Sequence, residues 1–365
     1  MNKIDRFLKL MNDRGASDLH LSVGSPPILR IYGDLERLRY KSLMQIDYEN
    51  LVQSIVPKGI WSAFLKSGEY DFAYHLEGVG RFRVNIFKQE HGMGATFRII
   101  PDHILSLEEL GLPPQIERFA MMDQGLILVT GPTGSGKSTT LAAIINHINH
   151  NRKFHIITIE DPIEFVHQNK MSQITQRELG QHTIAFADAL RAAIREDPDC
   201  ILVGEMRDLE TISTALHAAE TGILVFGTLH TNSAAKSVDR IIGVFPAEEQ
   251  EEIRIVLSHV LRGIISQQLL KRKEGGRIAA VEILFSSSAV ANSIREGKTS
   301  MVNSIIQTGR KQGMVSMDQC LQEYTLNDIV FAEEAYEKSI DKQAFKTFLK
   351  ENNIEFKLRA LEAEI

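Results

Sequence analysis

A chain of 365 residues is longer than one hydrophobic core usually holds, so two domains are expected. Hydrophobic residues at 43% and charged residues at 24% are ordinary globular proportions, and a net charge of −6 disfavours a nucleic-acid partner, which would show a basic face. The two cysteines, Cys200 and Cys320, exclude a disulfide framework or a cysteine zinc site, and no apolar run approaches the roughly 20 residues that span a bilayer, so a cytoplasmic chain is expected.

The N-terminal stretch 2–13 mixes Lys3, Asp5, Arg6 and Lys9 with apolar residues and predicts an amphipathic helix rather than a signal peptide. Residues 18–34 then alternate, with Asp18, His20 and Ser22 on one face and Leu19, Leu21 and Val23 on the other, as a half-buried strand does. A Ser-Pro-Pro turn at 25–27 leads to a second strand at 28–32. A helical stretch is predicted over 46–66, and further strands at 71–74, 81–89 and 94–100. This is an α+β domain over residues 1–100 with an antiparallel sheet. His20 within it is read as structural. Residues 101–124, punctuated by Pro113-Pro114, are predicted to connect it to the next domain.

From Gly125 on, predicted strands at 126–129, 155–160, 200–204 and 223–229 are each followed by a helical stretch, which implies a parallel sheet with helices on both faces. Ligands in such a sheet bind outside the carboxyl ends of the strands. After Pro246, the apolar residues Ile253, Val256, Leu257, Val260, Leu261, Ile264 and Ile265 repeat at helical spacing, and the chain is predicted helical to about residue 350 apart from a loop at 309–313. This second domain is placed at 125–356, with a helical C-terminal part, and a charged tail at 357–365. Cys200, inside an apolar strand, is read as a small core residue.

The first strand end carries the chemistry. Gly131-Pro132-Thr133-Gly134-Ser135-Gly136-Lys137-Ser138 fits G-x-x-x-x-G-K-[ST], with an apolar strand before it and a helix-forming run from Thr139 after it. Glycines permit backbone conformations and close approaches that a side chain would block. Backbone N–H groups and the helix N-terminus then make a phosphate site, with Lys137 reaching the β/γ-phosphates of ATP or ADP and the Ser138 hydroxyl ligating Mg²⁺.

Three further strand ends belong beside it. Thr158-Ile159-Glu160-Asp161-Pro162-Ile163-Glu164 closes one strand with carboxylates that either hold a metal shell and polarise water or cap a helix N-terminus. Asp199-Cys200-Ile201-Leu202-Val203-Gly204-Glu205 is an apolar strand ending in an acid, the Walker B arrangement, although Glu205 stands where such enzymes usually present Asp to magnesium. Arg207 just after it is either a phosphate sensor or a structural ion pair. Gly227-Thr228-Leu229-His230-Thr231 places His230 at a strand end, where a nucleotide-site role outweighs a structural one.

These strings, with Gly15-Ala16-Ser17-Asp18-Leu19-His20 and Arg81-Phe82-Arg83-Val84-Asn85, resemble the secretion-type hexameric P-loop ATPases, and among them the type IV pilus retraction ATPases (PilT-like). The resemblance runs from Gly15 to about residue 325. It implies a PAS-like N-terminal domain, a RecA-like ATPase domain, and a ring hexamer with ATP held between the two domains. It makes Glu160-Asp161 the aspartate box, Glu164 the base that activates water, Glu205 the Walker B acid and His230 the histidine box. Arginines delivered across an interface stabilise charge building on the γ-phosphate, and Arg81, Arg83 and Arg98 are the candidates. The implied setting is the cytoplasmic side of the inner membrane, at the base of the pilus machine and docked on its platform protein.

Pilus assembly ATPases of this lineage resemble longer proteins with a further N-terminal domain and a four-cysteine metal site. This chain opens directly at the PAS-like segment and has two cysteines, which favours retraction. Retraction members carry Ala-Ile-Arg-Asn-Leu-Ile-Arg-Glu near the C-terminus. Here Ala289-Val290-Ala291-Asn292-Ser293-Ile294-Arg295-Glu296 stands, with Ala291 and Ser293 in place of Arg and Leu. That departure keeps an auxiliary retraction paralogue (PilU-like) as the alternative, and makes a second retraction ATPase a further partner. A secretion or assembly motor, a nucleic-acid translocase and a non-hydrolysing ring subunit are the other readings. The cysteine count, the acidic charge and the intact set Lys137, Ser138, Glu164 and Glu205 weigh against them in turn.

Overall fold

The structure, a computed structural model, describes residues 2–31, 33–57, 59–100 and 104–356, and every count below is of these residues. The predicted tail at 357–365 and the start of the predicted connection, 101–103, lie outside them. The chain forms two compact units, one of residues 1–103 with 164–166, the other of 104–163 with 167–365.

The first unit begins with helix α1 (Lys3–Asp13), which buries Ile4, Leu8 and Met11 along one face. Strands β1 (Asp18–Ser22), β2 (Ile28–Ile31) and β3 (Asp34–Arg37) follow, then α2 (Gln45–Val52), α3 (Ile60–Ser67), β4 (Glu69–Leu76), β5 (Gly80–Gln89) and β6 (Gly92–Ile100). The six strands make one antiparallel sheet in the order β3-β2-β1-β6-β5-β4. The alternation read at 18–22 is that of a strand with one face in the core: Leu19 and Leu21 are fully buried, beside Phe82, Val84, Ile86 and Phe97. The single helix expected over 46–66 is two helices. Pro57 lies between them, and a proline disfavours helical geometry in the residue before it.

The second unit starts with α4 (Glu117–Ala120) and then alternates: β7 (Gly125–Thr130), α5 (Lys137–Asn151), β8 (His155–Glu160), β9 (Gln173–Glu178), α6 (Phe186–Ala193), β10 (Cys200–Val203), α7 (Leu209–Glu220), β11 (Leu224–Leu229), α8 (Ala234–Ile242) and α9 (Gln250–Val260). A hairpin, β12 (Leu261–Lys271) and β13 (Arg277–Phe285), precedes α10 (Ser288–Arg295), α11 (Met301–Thr308), α12 (Met317–Leu326), α13 (Ala332–Lys338) and α14 (Lys342–Glu351). The seven-stranded sheet has the order β13-β12-β7-β11-β10-β8-β9, and every neighbouring pair is parallel except β12 with β13. Strands buried on both faces read as continuous apolar runs, and β7 and β11 are buried along their whole length. In α5 the buried Leu141, Ile144, Ile145 and Ile148 recur at i, i+3, i+4 and i+7, the stripe a helix turns toward a sheet.

The helical repeat predicted to continue through Ile265 stops at Val260, and residues 261–285 form a hairpin. Gly263 is the reason at residue level. A Cβ there would lie 2.2 Å from Phe119 and 2.6 Å from the Leu284 carbonyl, so the backbone is pressed into a sheet contact that helix spacing cannot reveal. Residues 104–124, read as a connection, contribute Leu107, Leu112, Ile116, Phe119 and Ala120 to the core of the second unit. The predicted loop at 309–313 is largely a 3₁₀ turn at Gly309–Gln312.

Candidate functional site

The loop 131–136 joins β7 to α5. Gly131, Gly134 and Gly136 hold φ values of +149°, +77° and +88°, in the region L side chains rarely adopt. Gly131 is also enclosed: a Cβ there would lie 2.3 Å from the Gln267 carbonyl and 2.5 Å from Ser135 Oγ. Pro132, Thr133 and Gly134 are exposed, while Lys137, Ser138 and Thr139 are half-buried on the first turn of α5. The Lys137 ammonium donates to the carbonyls of Gly131 (2.8 Å) and Pro132 (3.1 Å), which holds its charge over the loop.

Gln267, on β12, secures this loop from below. It is 2% exposed. Its Nε2 donates to the Ser135 carbonyl at 2.7 Å, and its Oε1 accepts from Thr140 Oγ1 at 2.8 Å. One amide thus ties the turn to the helix that follows it. Beside it a chain of hydroxyls crosses the sheet: Thr130 Oγ1 donates to Ser266 Oγ at 2.9 Å, and Ser237 Oγ lies 3.5 Å from Thr130 Oγ1 and 2.6 Å from Thr231 Oγ1. Sequence reasoning missed Gln267 and Ser266 because their strand was read as helix. The signal was Gly263, which weakens any helix assigned across it.

Parallel pairing sets the other strand ends on the same edge. Thr130 of β7 pairs with Leu229 of β11, Gly227 of β11 with Val203 of β10, and Val203 with Ile159 of β8. Just past these ends, His230 Nε2 lies 2.9 Å from Glu205 Oε1, and Arg207 Nε donates to the same oxygen. The turn after β10 is held tightly. Thr228 Oγ1 donates to the Gly204 carbonyl at 2.5 Å, the Met206 N–H donates to the Thr228 carbonyl at 3.1 Å, and a Cβ on Gly227 would lie 2.2 Å from Met206 Sδ. Burial pushes the Glu205 carboxyl up, but Arg207 and His230 outweigh it and hold the group below the usual carboxylate range. Arg207 thus forms an ion pair with Glu205. Asp208 caps α7 through Thr211.

On the next strand, Glu160 Oε1 accepts from Thr158 Oγ1 at 2.7 Å and Gln176 Nε2 at 3.2 Å. Asp161 and Glu164 are exposed in the loop that follows. The second unit therefore gathers the loop 131–136, Lys137, Glu160, Glu205, Arg207 and His230 along one sheet edge. Arg81, Arg83 and Arg98 belong to the first unit's sheet, where Arg83 and Arg98 are cross-strand partners. Arg98 Nε lies 2.8 Å from Oδ1 of buried Asp18, and Arg83 Nε lies 3.8 Å from Asp71 Oδ1. His20 sits beside them with Nδ1 3.3 Å from Thr96 Oγ1, and burial pulls its imidazole below its ordinary pKa.

The fit to Mg²⁺ rests on donor chemistry. Magnesium keeps several waters and takes only one or two protein oxygens besides phosphate. A half-buried hydroxyl at Ser138 and an ionised carboxylate at Glu205 are such oxygens, and among the described residues no group of three or more His, Cys, Asp or Glu could hold a metal by itself.

A family described as Type II/IV secretion system protein matches residues 73–352. The chain belongs to this family. Within the Type II/IV secretion family it is 50% identical, over 92% of its length and 98% of the relative's, to a protein of Pseudomonas aeruginosa named type IV pilus retractation ATPase PilT. It is 53% identical over 85% of its length, and 83% of the relative's, to the twitching motility protein of Neisseria gonorrhoeae. A crystal structure of the pilus retraction motor PilT with bound ADP superposes with a TM-score of 0.89 at 46% identity, covering 95% of this chain and 99% of that one. The fold class expected from sequence, an α+β domain followed by a mostly parallel P-loop ATPase domain, is the fold found. Among the described residues no helix is long and apolar enough to cross a membrane.

Proposed function

We propose that this chain hydrolyses ATP and turns the free energy into retraction of a type IV pilus. The observation that carries this reading is the sheet edge on which the loop 131–136, Glu205 and His230 converge, in a chain half identical to a retraction ATPase along nearly all of both sequences.

Lys137 faces the β/γ-phosphates, and the glycines of the loop let its backbone approach them. Ser138 and Glu205 hold Mg²⁺, which when bound neutralises charge on the phosphoryl group being transferred. His230 and Arg207 fix the Glu205 carboxylate in one orientation and keep it ionised. Glu164 takes the proton of the attacking water. Arginines from a neighbouring copy, among Arg81, Arg83 and Arg98, complete the stabilisation, which is the reason to expect a closed homo-oligomeric ring, with six subunits. The ring works at the cytoplasmic base of the pilus machine, docked on its inner-membrane platform.

The chain is 38% identical to the Pseudomonas aeruginosa type IV pilus ATPase PilU, against 50% to PilT, which favours the main motor over the auxiliary one. Deleting the gene and scoring surface pili and surface motility tests the direction of work. Retained pili with lost motility support retraction. A strain without pili points to an assembly motor, and one with normal motility to an accessory role.

A further inference from the structure

We infer that Gln176 and Glu178, on strand β9, are positioning residues that clamp the loop carrying Glu164. The inference rests on the reading of Glu164 as the base. The loop leaves β8 at Glu160, and three of its backbone or side-chain groups are held by two neighbouring side chains that share one face of β9. Gln176 Nε2 donates to Glu160 Oε1 at 3.2 Å, and Gln176 Oε1 accepts the His167 N–H at 2.8 Å, so one amide grips both ends of the loop. Glu178 Oε2 accepts the Ile163 N–H at 3.1 Å, immediately before Glu164. Glu178 is itself fixed. It is 3% exposed, its Oε1 accepts from Gln181 Nε2, and its N–H donates to His182 Nδ1 at 2.9 Å. Register supports the arrangement, because β9 runs parallel to β8 with Thr158 opposite Gln176 and Glu160 opposite Glu178.

The physical need is specific. Glu164 is exposed on irregular backbone, and a base must come within about 2.6–3.2 Å of the atom whose proton it takes. A misplacement of about 1 Å can lower a rate on the order of 10²-fold. Anchors one residue before and three residues after Glu164 leave its backbone little room to wander, without occupying its carboxylate.

The test uses the full chain with Gln176→Leu, Glu178→Leu and the conservative Glu178→Gln, alone and combined with Glu164→Gln. We expect kcat for ATP to fall at least tenfold in the leucine variants, with ADP affinity within about twofold, because Lys137 and its loop are untouched; Glu178→Gln should recover part of the loss. Amide exchange should quicken at His167 in Gln176→Leu and at Ile163 in Glu178→Leu. In the Glu164→Gln background the same leucine changes should cost little more. Wild-type kcat in both leucine variants overturns the inference, as does an undiminished further loss in the Glu164→Gln background, which marks a merely structural role. If a leucine variant does not fold, Glu178→Gln with unchanged kcat and unchanged Ile163 exchange overturns the Glu178 part, and Gln176→Met decides the Gln176 part by the same two readings. Wild-type turnover in Glu164→Gln itself instead removes the assignment of the base, with the exchange data still deciding whether the clamp exists.

Discussion

Replacing Gln267 by Leu is the sharpest probe of how the phosphate loop is held. The substitution keeps an apolar volume in a 2% exposed position but strips both partners: the Ser135 carbonyl and the Thr140 hydroxyl lose their hydrogen bonds to one amide. A buried polar group left unpaired costs about 1–3 kcal/mol, so two give about 2–6 kcal/mol. The cost divides between global stability and order in the loop. If about 1.4 kcal/mol of it falls on the loop, ADP binds about tenfold more weakly. Titration of ADP against the purified variant, with thermal unfolding in parallel, measures both parts. Gln268→Leu is the control, since successive strand residues face opposite ways and Gln268 contacts the Lys338 carbonyl instead, at 3.4 Å. Gln267→Leu with unchanged melting and ADP affinity within about twofold of the parent would refute the reasoning.

Other outcomes follow from the same geometry. Lys137→Ala should abolish ATP turnover and weaken nucleotide binding, because the only cation on the loop is lost; near-normal turnover in a steady-state assay contradicts this. Glu205 is held below the usual carboxylate range, so its ionised form, and the activity that needs it, persists as pH falls and is lost only on passing below that range. Arg207→Ala leaves burial less opposed, so the acid limb of the pH–rate profile should move to higher pH, and an unmoved limb argues against the pairing. Gly227→Ala forces a methyl against Met206 Sδ and should destabilise the chain by about 1–3 kcal/mol, as overpacking does; denaturant unfolding should show Met206→Ala restoring part of the loss.

Strands β7, β10 and β11 were legible from sequence because each is a short apolar run followed by residues with distinctive chemistry: the glycines from Gly131, Glu205 after Val203, His230 after Leu229. Local patterns of that kind survive any tertiary context. The hairpin 261–285 was not legible. Leu261, Ile264 and Ile265 fit helical spacing as well as a doubly buried strand, and the one local mark against the helix, Gly263, is explained by its packing against Phe119. Strand β9, Gln-Ile-Thr-Gln-Arg-Glu, is polar along most of its length and becomes a strand through pairing with β8. Gln267, Gln176 and Glu178 stayed hidden for the same reason. Their roles depend on which loops the folded sheet brings to them, and an isolated Gln or Glu carries no such mark in sequence.

The most direct test of the central claim is to watch labelled pili in a deletion strain carrying either the parent gene or Glu205→Gln. The parent should restore retraction, whereas Glu205→Gln should yield a folded, nucleotide-binding protein that leaves pili extended. Retraction at the parent's rate with Glu205→Gln would contradict that claim.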